Sequence, residues 1–206
     1  MQCVAISSFA ILRPGEAPDV SFVPPLVRRR LSPLQKIYFS LARQIEPPAP
    51  IPPIPPIPPI FIFASRDGED TLTRRIVDDF HADGSVSPHR FSSSVYNAAP
   101  GLWSVFTKNV APYTAIAAGD DTIECGLIET LAALKSERDA VLVYAEETGG
   151  GYGAAVRMGG MGAVGSMGAV GAGTKSLAFS DLVDFLSDPS KTLVGKWISL
   201  SHSCAG

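Results

Sequence analysis

Proline occupies nine of the fifteen positions from 46 to 60, where the sequence repeats Ile-Pro-Pro. Each proline fixes the backbone dihedral φ and removes an N–H donor, so this stretch fits neither an α-helix nor an interior strand. We expect a stiff polyproline II spacer inserted between two folded segments. A docking ligand for a proline-reading domain is the alternative, although no Arg or Lys adjoins the repeat to orient such a ligand.

A second low-complexity segment, 149–173, holds eleven of the nineteen glycines and repeats Met-Gly-Ala-Val-Gly. Glycine at this density loses much backbone entropy on ordering, which favours a flexible loop. The segment has no GxxxxGK[ST] pattern and opens no helix, which argues against a phosphate-binding loop. The 206 residues therefore predict a single domain, 1–206, with a Pro-rich insertion at 46–60 and a Gly-rich flexible loop at 149–173.

The rest of the chain alternates between strand and helix patterns. The predicted strands are 3–12, 61–65, 113–118, 140–145 and 197–200. The first predicted helix has Ser32 as its N-cap and an apolar face at Leu34, Ile37, Tyr38, Leu41 and Ile45. Further helices are predicted after Gly68, with Leu72, Ile76 and Phe80 on one face, over 97–108, from Asp120 onward, and over 181–186. This alternation predicts an α/β fold with a mostly parallel mixed sheet between helix layers.

Charge and composition exclude several classes of function. The net charge of −3 gives no basic surface for nucleic acid. Arg28, Arg29 and Arg30 predict a solvated or salt-bridged patch, with contact to an anionic partner as the alternative. No apolar run is long enough to cross a membrane, and the apolar start of the chain lacks the features of a signal peptide. We therefore expect a cytoplasmic protein.

The cysteines and histidines do not form a site in the sequence. Cys3, Cys125 and Cys204 are scattered and have no histidine at metal-ligand spacing, so we expect neither a disulfide framework nor a metal, and no cofactor. The three histidines, at 81, 89 and 202, are expected at surfaces or turns. Glu146 and Glu147 end a predicted strand, where adjacent side chains point to opposite faces and do not act on one substrate.

The segment from Tyr113 to Cys125 has the pattern of a nucleophile turn. A strand ends in small residues, turns through Gly119 and enters an apolar helix, whose first N–H groups and positive dipole would stabilise an anion. We call the four residues at this turn the elbow: Ala118, Gly119, Asp120 and Asp121. Asp121 and Glu124 also have the spacing of a capping box, which favours a structural role for the acids.

Several motifs, in this order along the chain, resemble the β-ketoacyl synthases of the thiolase-like superfamily. The similarity is greatest to their short N-terminal-domain proteins, which include chain-length-factor-type proteins. The motifs are Arg-Arg-Arg-Leu-Ser at 28–32, Phe-Ala-Ser-Arg-Asp-Gly-Glu at 63–69, Ser-Pro at 87–88, Ser-Val-Tyr-Asn-Ala-Ala-Pro-Gly at 94–101, Pro112, the elbow, Asp-Phe-Leu at 184–186 and Lys-Trp-Ile at 196–198. Ser65, Asn97 and Gly101 carry the family motif most directly. The resemblance implies a thiolase-like half-fold.

The resemblance also shows what this sequence lacks. Active ketosynthases carry the acyl chain on a cysteine, and aligning the elbow puts Asp120 at that position. Cys125 lies inside the helix, where a thiol packs as a small apolar group. The family's two catalytic histidines come from the second half of its fold, and none of the three histidines here lies in a matching motif. We therefore predict no catalytic residues.

In the family, the strand before the elbow pairs with its twin across a dimer axis. The matching residues here are Tyr113, Thr114, Ala115, Ile116 and Ala117. They form an apolar strand without charge or proline, and such an edge is expected to be covered. The resemblance thus implies a homodimer or a heterodimer with a true ketosynthase.

Three hypotheses of function follow. The first is a non-catalytic partner, similar to a chain length factor, that contacts a ketosynthase or an acyl carrier protein in fatty-acid, polyketide or aryl-polyene biosynthesis. The second is an enzyme that processes acyl thioesters with Asp120 or Asp121 as acid or base. The third is a degenerate domain whose expanded repeats reflect weak selection.

Overall fold

The computed structural model describes residues 2–3, 5–46, 57–134, 138–159, 166–169, 175–195 and 198–201. The helices are α1 (Pro25–Arg28), α2 (Pro33–Ile45), α3 (Asp70–Asp83), α4 (Pro88–Ser93), α5 (Ala98–Thr107), α6 (Thr122–Ala133) and α7 (Phe179–Ser187). The strands are β1 (Gln2–Cys3), β2 (Ala5–Leu12), β3 (Ile60–Ala64), β4 (Tyr113–Ile116), β5 (Ala140–Glu146), β6 (Tyr152–Gly159), β7 (Ser166–Ala169), β8 (Thr192–Val194) and β9 (Ile198–Ser201). Of the predicted Pro-rich spacer, 47–56 lie outside the described residues.

The main sheet has five strands in the order β2-β6-β5-β3-β4. Strand β3 runs parallel to both β4 and β5, whereas β6 runs antiparallel to both β5 and β2. The predicted α/β fold with a mixed sheet is confirmed. Two of the four strand pairings in the main sheet are parallel and two are antiparallel. A smaller antiparallel sheet has the strand order β1-β7-β9-β8. This sheet was not predicted, although the predicted strand 197–200 corresponds to β9.

The central strand β5 is buried along its whole length, and its side chains alternate between two apolar cores. On one face Val141 and Val143 pack with α2 and α5, and the aromatic rings of Phe39 and Trp103 meet edge-on with centroids 5.0 Å apart. On the other face Leu142 belongs to the core formed with α6, α7 and the small sheet. The sheet therefore lies between two helical layers.

Helix α2 begins as the sequence predicts. The Oγ of Ser32 accepts a hydrogen bond from the backbone N–H of Gln35 at 3.0 Å, and the Gln35 side chain accepts one from the Ser32 N–H at 3.2 Å. This reciprocal capping box, with Pro33 at the first helical position, satisfies donors that the helix leaves free.

The predicted Gly-rich loop at 149–173 contains two strands that were not predicted, β6 and β7, while 160–165 and 170–173 lie outside the described residues. Residues Tyr152–Gly159 form β6, which lies between β2 and β5 and is mostly buried. At Gly153, an added Cβ would lie 2.8 Å from Cδ1 of Leu41 and would also meet the carbonyl oxygen of Tyr144. Glycine is present there because backbone and side chains approach too closely for a larger residue, and not because the segment is a loop.

Helix α3 forms as predicted, but its apolar face is not buried. No residue of α3 is buried, and the side chain of Phe80 is 54% exposed. Leu72 and Ile76 are half-buried. Because the 3.6-residue period shows only that apolar residues share a face, it does not show what covers that face.

Candidate functional site

The elbow joins the edge strand β4 to helix α6. Gly119 has φ of +58°, in the left-handed region, so the chain reverses there as the sequence predicts. A short 3₁₀ turn, Gly119–Asp121, precedes α6. The Oγ1 of Thr122 closes the turn by accepting from the N–H of Ala118 at 3.0 Å and donating to the carbonyl oxygen of Gly119 at 2.8 Å.

The predicted capping box between Asp121 and Glu124 does not form. Asp121 makes no side-chain cap to the helix, and its Oδ1 accepts a hydrogen bond from the Oγ of Ser176 at 2.7 Å. Glu124 is fully buried and its Oε1 accepts from the N–H of Ile198 at 2.9 Å. The prediction was wrong because both carboxylates bind groups distant in sequence.

Asp120 lies where the family resemblance places the nucleophile. Its Oδ1 lies 2.7 Å from Nη1 of Arg66, and the side chains of Asp120 and Arg66 are 69% and 56% exposed. The carboxylate is therefore an exposed, ion-paired group. With 69% of its side chain exposed, Asp120 lacks the burial that commonly adapts a carboxyl for acid or base catalysis.

A cleft of about 310 Å³ opens beside the elbow, and we call it the elbow cleft. Its polar side comprises Arg66, Asp120 and Ser176. Its apolar side includes a cluster of three aromatic rings, Tyr144, Tyr152 and Phe179, in which the last two have centroids 4.7 Å apart. Burial, and then the charge of Glu146, raises the pKa of the Tyr144 hydroxyl. Tyr144 therefore acts as a neutral wall residue.

The loop that carries Arg66 is built around a buried carboxylate. The Oγ of Ser65 donates to Glu146 at 3.0 Å and accepts from the N–H of Gly68 at 2.8 Å. Glu146 also accepts from the backbone N–H groups of Arg66 and Asp67. Burial raises the pKa of Glu146, while these donors oppose that shift. The motif residue Ser65 thus shapes the loop that aims Arg66 at Asp120.

The other two motif residues lie away from the elbow cleft, in the region of α5. Asn97 precedes α5, is exposed, and accepts from the N–H of Gly101 through its backbone carbonyl at 3.1 Å. An added Cβ at Gly101 would lie 3.4 Å from the hydroxyl oxygen of Tyr113. That separation is an ordinary van der Waals distance, so a small side chain would fit at Gly101. Neither residue lines the elbow cleft.

Two further carboxylates lie near the end of β5, and the sequence analysis missed their proximity. Glu69 accepts a hydrogen bond from the Oγ of Ser32 at 2.8 Å, and Glu147 accepts one from the N–H of Thr71 at 2.7 Å. Burial, with a smaller contribution from the charge of Glu147, raises the pKa of Glu69 to about 7. The Glu-Glu pair at 146–147 was the sequence signal that could have indicated this arrangement. A buried strand that ends in carboxylates needs hydrogen-bond donors from neighbouring loops.

Among the residues that the structure describes, no cysteine or histidine lines the elbow cleft. Cys125 is half-buried, and burial followed by the charges of Asp121 and Glu124 raises the pKa of its thiol. His81 and His89 are exposed, and His202 lies outside the described residues. Across the described part of the chain, no cluster of His, Cys, Asp or Glu could hold a metal ion. No helix in that part is both long and apolar enough to span a bilayer.

Residues 8–150, more than half of the chain, match the family described as beta-ketoacyl synthase, N-terminal domain. Among solved structures, the chain is similar to one described as the ketosynthase ApeO in complex with its chain length factor ApeC from Xenorhabdus doucetiae. That similarity has a TM-score of 0.71 and 17% identity, and covers 97% of this chain and 99% of that chain. A second similarity, to a structure described as the ishigamide ketosynthase/chain length factor, has a TM-score of 0.54 and 10% identity. It covers 73% of this chain and 53% of that chain.

No protein of curated function matches the chain. At these identities the two structural similarities show the fold alone, which is the thiolase-like fold. The family match includes β3, the Ser65 loop, β4, the elbow and β5, which are the elements that form most of the site. The chain belongs to the β-ketoacyl synthase N-terminal domain family.

Proposed function

We propose that this protein is a non-catalytic ketosynthase-like subunit, which contacts an active ketosynthase and influences the acyl chain that the ketosynthase builds. One observation carries the proposal: the elbow position that resembles the family's nucleophilic cysteine holds Asp120, an exposed carboxylate paired with Arg66. A carboxylate attacking an acyl thioester would give an anhydride, which is a poor carrier for the chain.

The surroundings of the elbow support a non-catalytic role. Among the described residues that line the elbow cleft there is no histidine, cysteine or lysine, and the acid Asp120 is ion-paired. Asp121 accepts a hydrogen bond from Ser176. An enzyme that used either aspartate as a general base would need a carboxylate directed at a bound substrate, with a tuned pKa. We therefore favour the partner over the acyl-thioester-processing enzyme.

The surface around β4 supports contact with another subunit. Strand β4 lies at the edge of the five-stranded sheet and pairs only with β3 among the described strands. Exposed apolar side chains continue along α5 and the segment that joins it to β4: Leu102, Val105, Val110 and Tyr113. An apolar edge strand beside such side chains is suited to cover by a partner. The ApeO structure is described as a ketosynthase in complex with its chain length factor, and we propose a ketosynthase as the partner here.

Reconstitution tests the proposal. A cognate ketosynthase and its acyl carrier protein would be assayed with and without this protein, following the condensation rate and the length of the acyl product. We expect the protein to change one or both, and Asp120→Ala to act as well as the wild type. An unchanged rate and chain length would refute the proposal.

A second assay separates the partner from the enzyme. The protein alone would be incubated with acyl and malonyl thioesters, and release of free thiol would be measured. We expect no release. Release that disappears in Asp120→Ala would establish the enzyme instead.

A further inference from the structure

A second cavity, of about 390 Å³, lies among α1, α2, α3 and α4, apart from the elbow cleft. Four arginines line it, and we call it the arginine cavity: Arg29 and Arg30 follow α1, Arg75 lies on α3 and Arg90 on α4. Segments distant in sequence thus bring their cationic side chains to one concave site. The sequence analysis noted only the local run at 28–30.

The positive charge of the arginine cavity is only partly neutralised by ion pairs. Within the described part of the chain, no acidic side chain lines the cavity. Arg90 forms an ion pair with Asp79, whereas Arg29, Arg30 and Arg75 form no ion pair with any residue that the structure describes. The whole chain carries a net charge of −3, so this local excess is not a consequence of a basic composition.

Two residues of the cavity wall are held by carboxylates. Ser32 lines the cavity, and its Oγ donates to Glu69 behind the wall at 2.8 Å. Thr71 lines it as well, and its backbone N–H donates to Glu147 at 2.7 Å. Glu69 and Glu147 are not lining residues, so they hold the wall in place without entering the cavity.

This chemistry fits a phosphate better than other anions. A guanidinium presents planar pairs of N–H donors that match the oxygens of phosphate, and several arginines together bind a multiply charged group. The volume lies within the range of small-molecule sites, about 300–1,000 Å³. A concave cavity of this size favours a small ligand over a flat acidic protein surface. From this geometry, we infer that the arginine cavity binds a phosphate-bearing small molecule, a site separate from the proposed subunit contact.

Titration calorimetry with inorganic pyrophosphate, at constant ionic strength, tests this site on the full chain. We expect saturable binding with one site per chain. Arg30→Gln and Arg75→Gln should each weaken it by about tenfold or more, the loss for one hydrogen bond to a charged group. Arg13→Gln removes the same charge from an exposed position outside the cavity and should leave the affinity unchanged.

Two further ligands exclude the competing explanations. Citrate tests for general attraction to anions, and a poly-glutamate peptide tests for an acidic protein surface. Weaker binding of both than of pyrophosphate supports the site. The inference of a phosphate site would be overturned by the absence of pyrophosphate binding, by equal binding of citrate, or by binding of poly-glutamate alone. It would also be overturned if Arg13→Gln weakened pyrophosphate binding as much as the cavity variants do. Because Arg30 and Arg75 are exposed, the single variants should fold, and circular dichroism would verify this. The reconstitution assay does not depend on this result.

Discussion

Nη1 of Arg66 lies 2.7 Å from Oδ1 of Asp120, and both side chains line the elbow cleft. Arg66 is placed there by the loop that Ser65 and Glu146 hold together, so the ion pair depends on a buried carboxylate in the neighbouring strand. The residue that the family resemblance aligns with the nucleophile is therefore part of a surface ion pair.

The first prediction concerns this ion pair. Asp120→Ala should lower the free energy of unfolding by less than about 1 kcal/mol, because exposed ion pairs contribute about 0–1 kcal/mol. Urea denaturation followed by circular dichroism measures it. Arg66→Ala should have a similarly small effect, and the double variant should lose little more than either single variant. A loss of several kcal/mol for Asp120→Ala would contradict the description of the pair as exposed.

The second prediction concerns Glu146, which is 2% exposed and accepts from Ser65 and from two backbone N–H groups. In Glu146→Gln the amide NH₂ would face hydrogen-bond donors that the carboxylate now accepts from. We therefore expect the free energy of unfolding to fall by about 3 kcal/mol, as is typical when a buried charged hydrogen bond is broken. The same urea denaturation measures it. Asp78→Asn is the matched control, because Asp78 is an exposed carboxylate on α3 and should change stability little. Equal effects of the two substitutions would show that Glu146 does not organise the loop.

The parts of the fold that could be predicted from sequence have local causes. The Ser32 capping box, the continuous apolar strand β3 and the left-handed Gly119 each depend on neighbouring residues. The missed parts depend on distant ones. Glu124 binds the N–H of Ile198, which is 74 residues away, so its local spacing suggested a cap that does not form. Gly153 belongs to a strand because the carbonyl of Tyr144 and the side chain of Leu41 approach it.

The same distinction applies to the site. The elbow and the position of Asp120 follow from a turn pattern and from the order of the family motifs, both of which can be recognised along the sequence. The partner of Asp120 does not, because Arg66 reaches it from a loop after a different strand. The arginine cavity was missed for the same reason, since Arg75 and Arg90 join the run at 28–30 only after α3 and α4 pack together.

The third prediction is a dependence of stability on pH. Burial, with a smaller contribution from the charge of Glu147, raises the pKa of Glu69 from 4.5 to about 7. Between these values the folded protein holds a proton that the unfolded chain has released. The free energy of unfolding therefore falls as pH rises through this window. Glu69→Gln stays neutral, so it should match the wild type near pH 4.5 and be more stable at pH 8, by up to about 3 kcal/mol.

Urea denaturation of both proteins from pH 4.5 to 8.5 measures this difference. The variant keeps an amide oxygen that can accept from Ser32, so the hydrogen bond at the N-terminus of α2 is preserved. Asp78→Asn, at an exposed site, should differ from the wild type by the same amount at every pH. A pH-independent difference for Glu69→Gln would show that Glu69 titrates normally.

The fourth prediction concerns strand β4, which is half-exposed and pairs on one side only among the described strands. If a partner strand covers this edge, Thr114→Lys should disrupt the association, because a lysine on an edge strand opposes further pairing. We expect the wild type to sediment as a dimer, or as a complex when a cognate ketosynthase is added. The variant should bind at least about tenfold more weakly, a loss of about 1.4 kcal/mol.

Sedimentation velocity at several concentrations measures this, with Ser92→Lys as a control that adds the same charge to an exposed position on α4. A control that associates like the wild type shows that the loss is specific to β4. If the wild type stays monomeric both alone and with the ketosynthase, the exposed edge is not a subunit interface. If Thr114→Lys associates normally, contact is made through another surface. In that case the apolar side chains of Val105 and Val110, which are 80% and 92% exposed, are the next to replace.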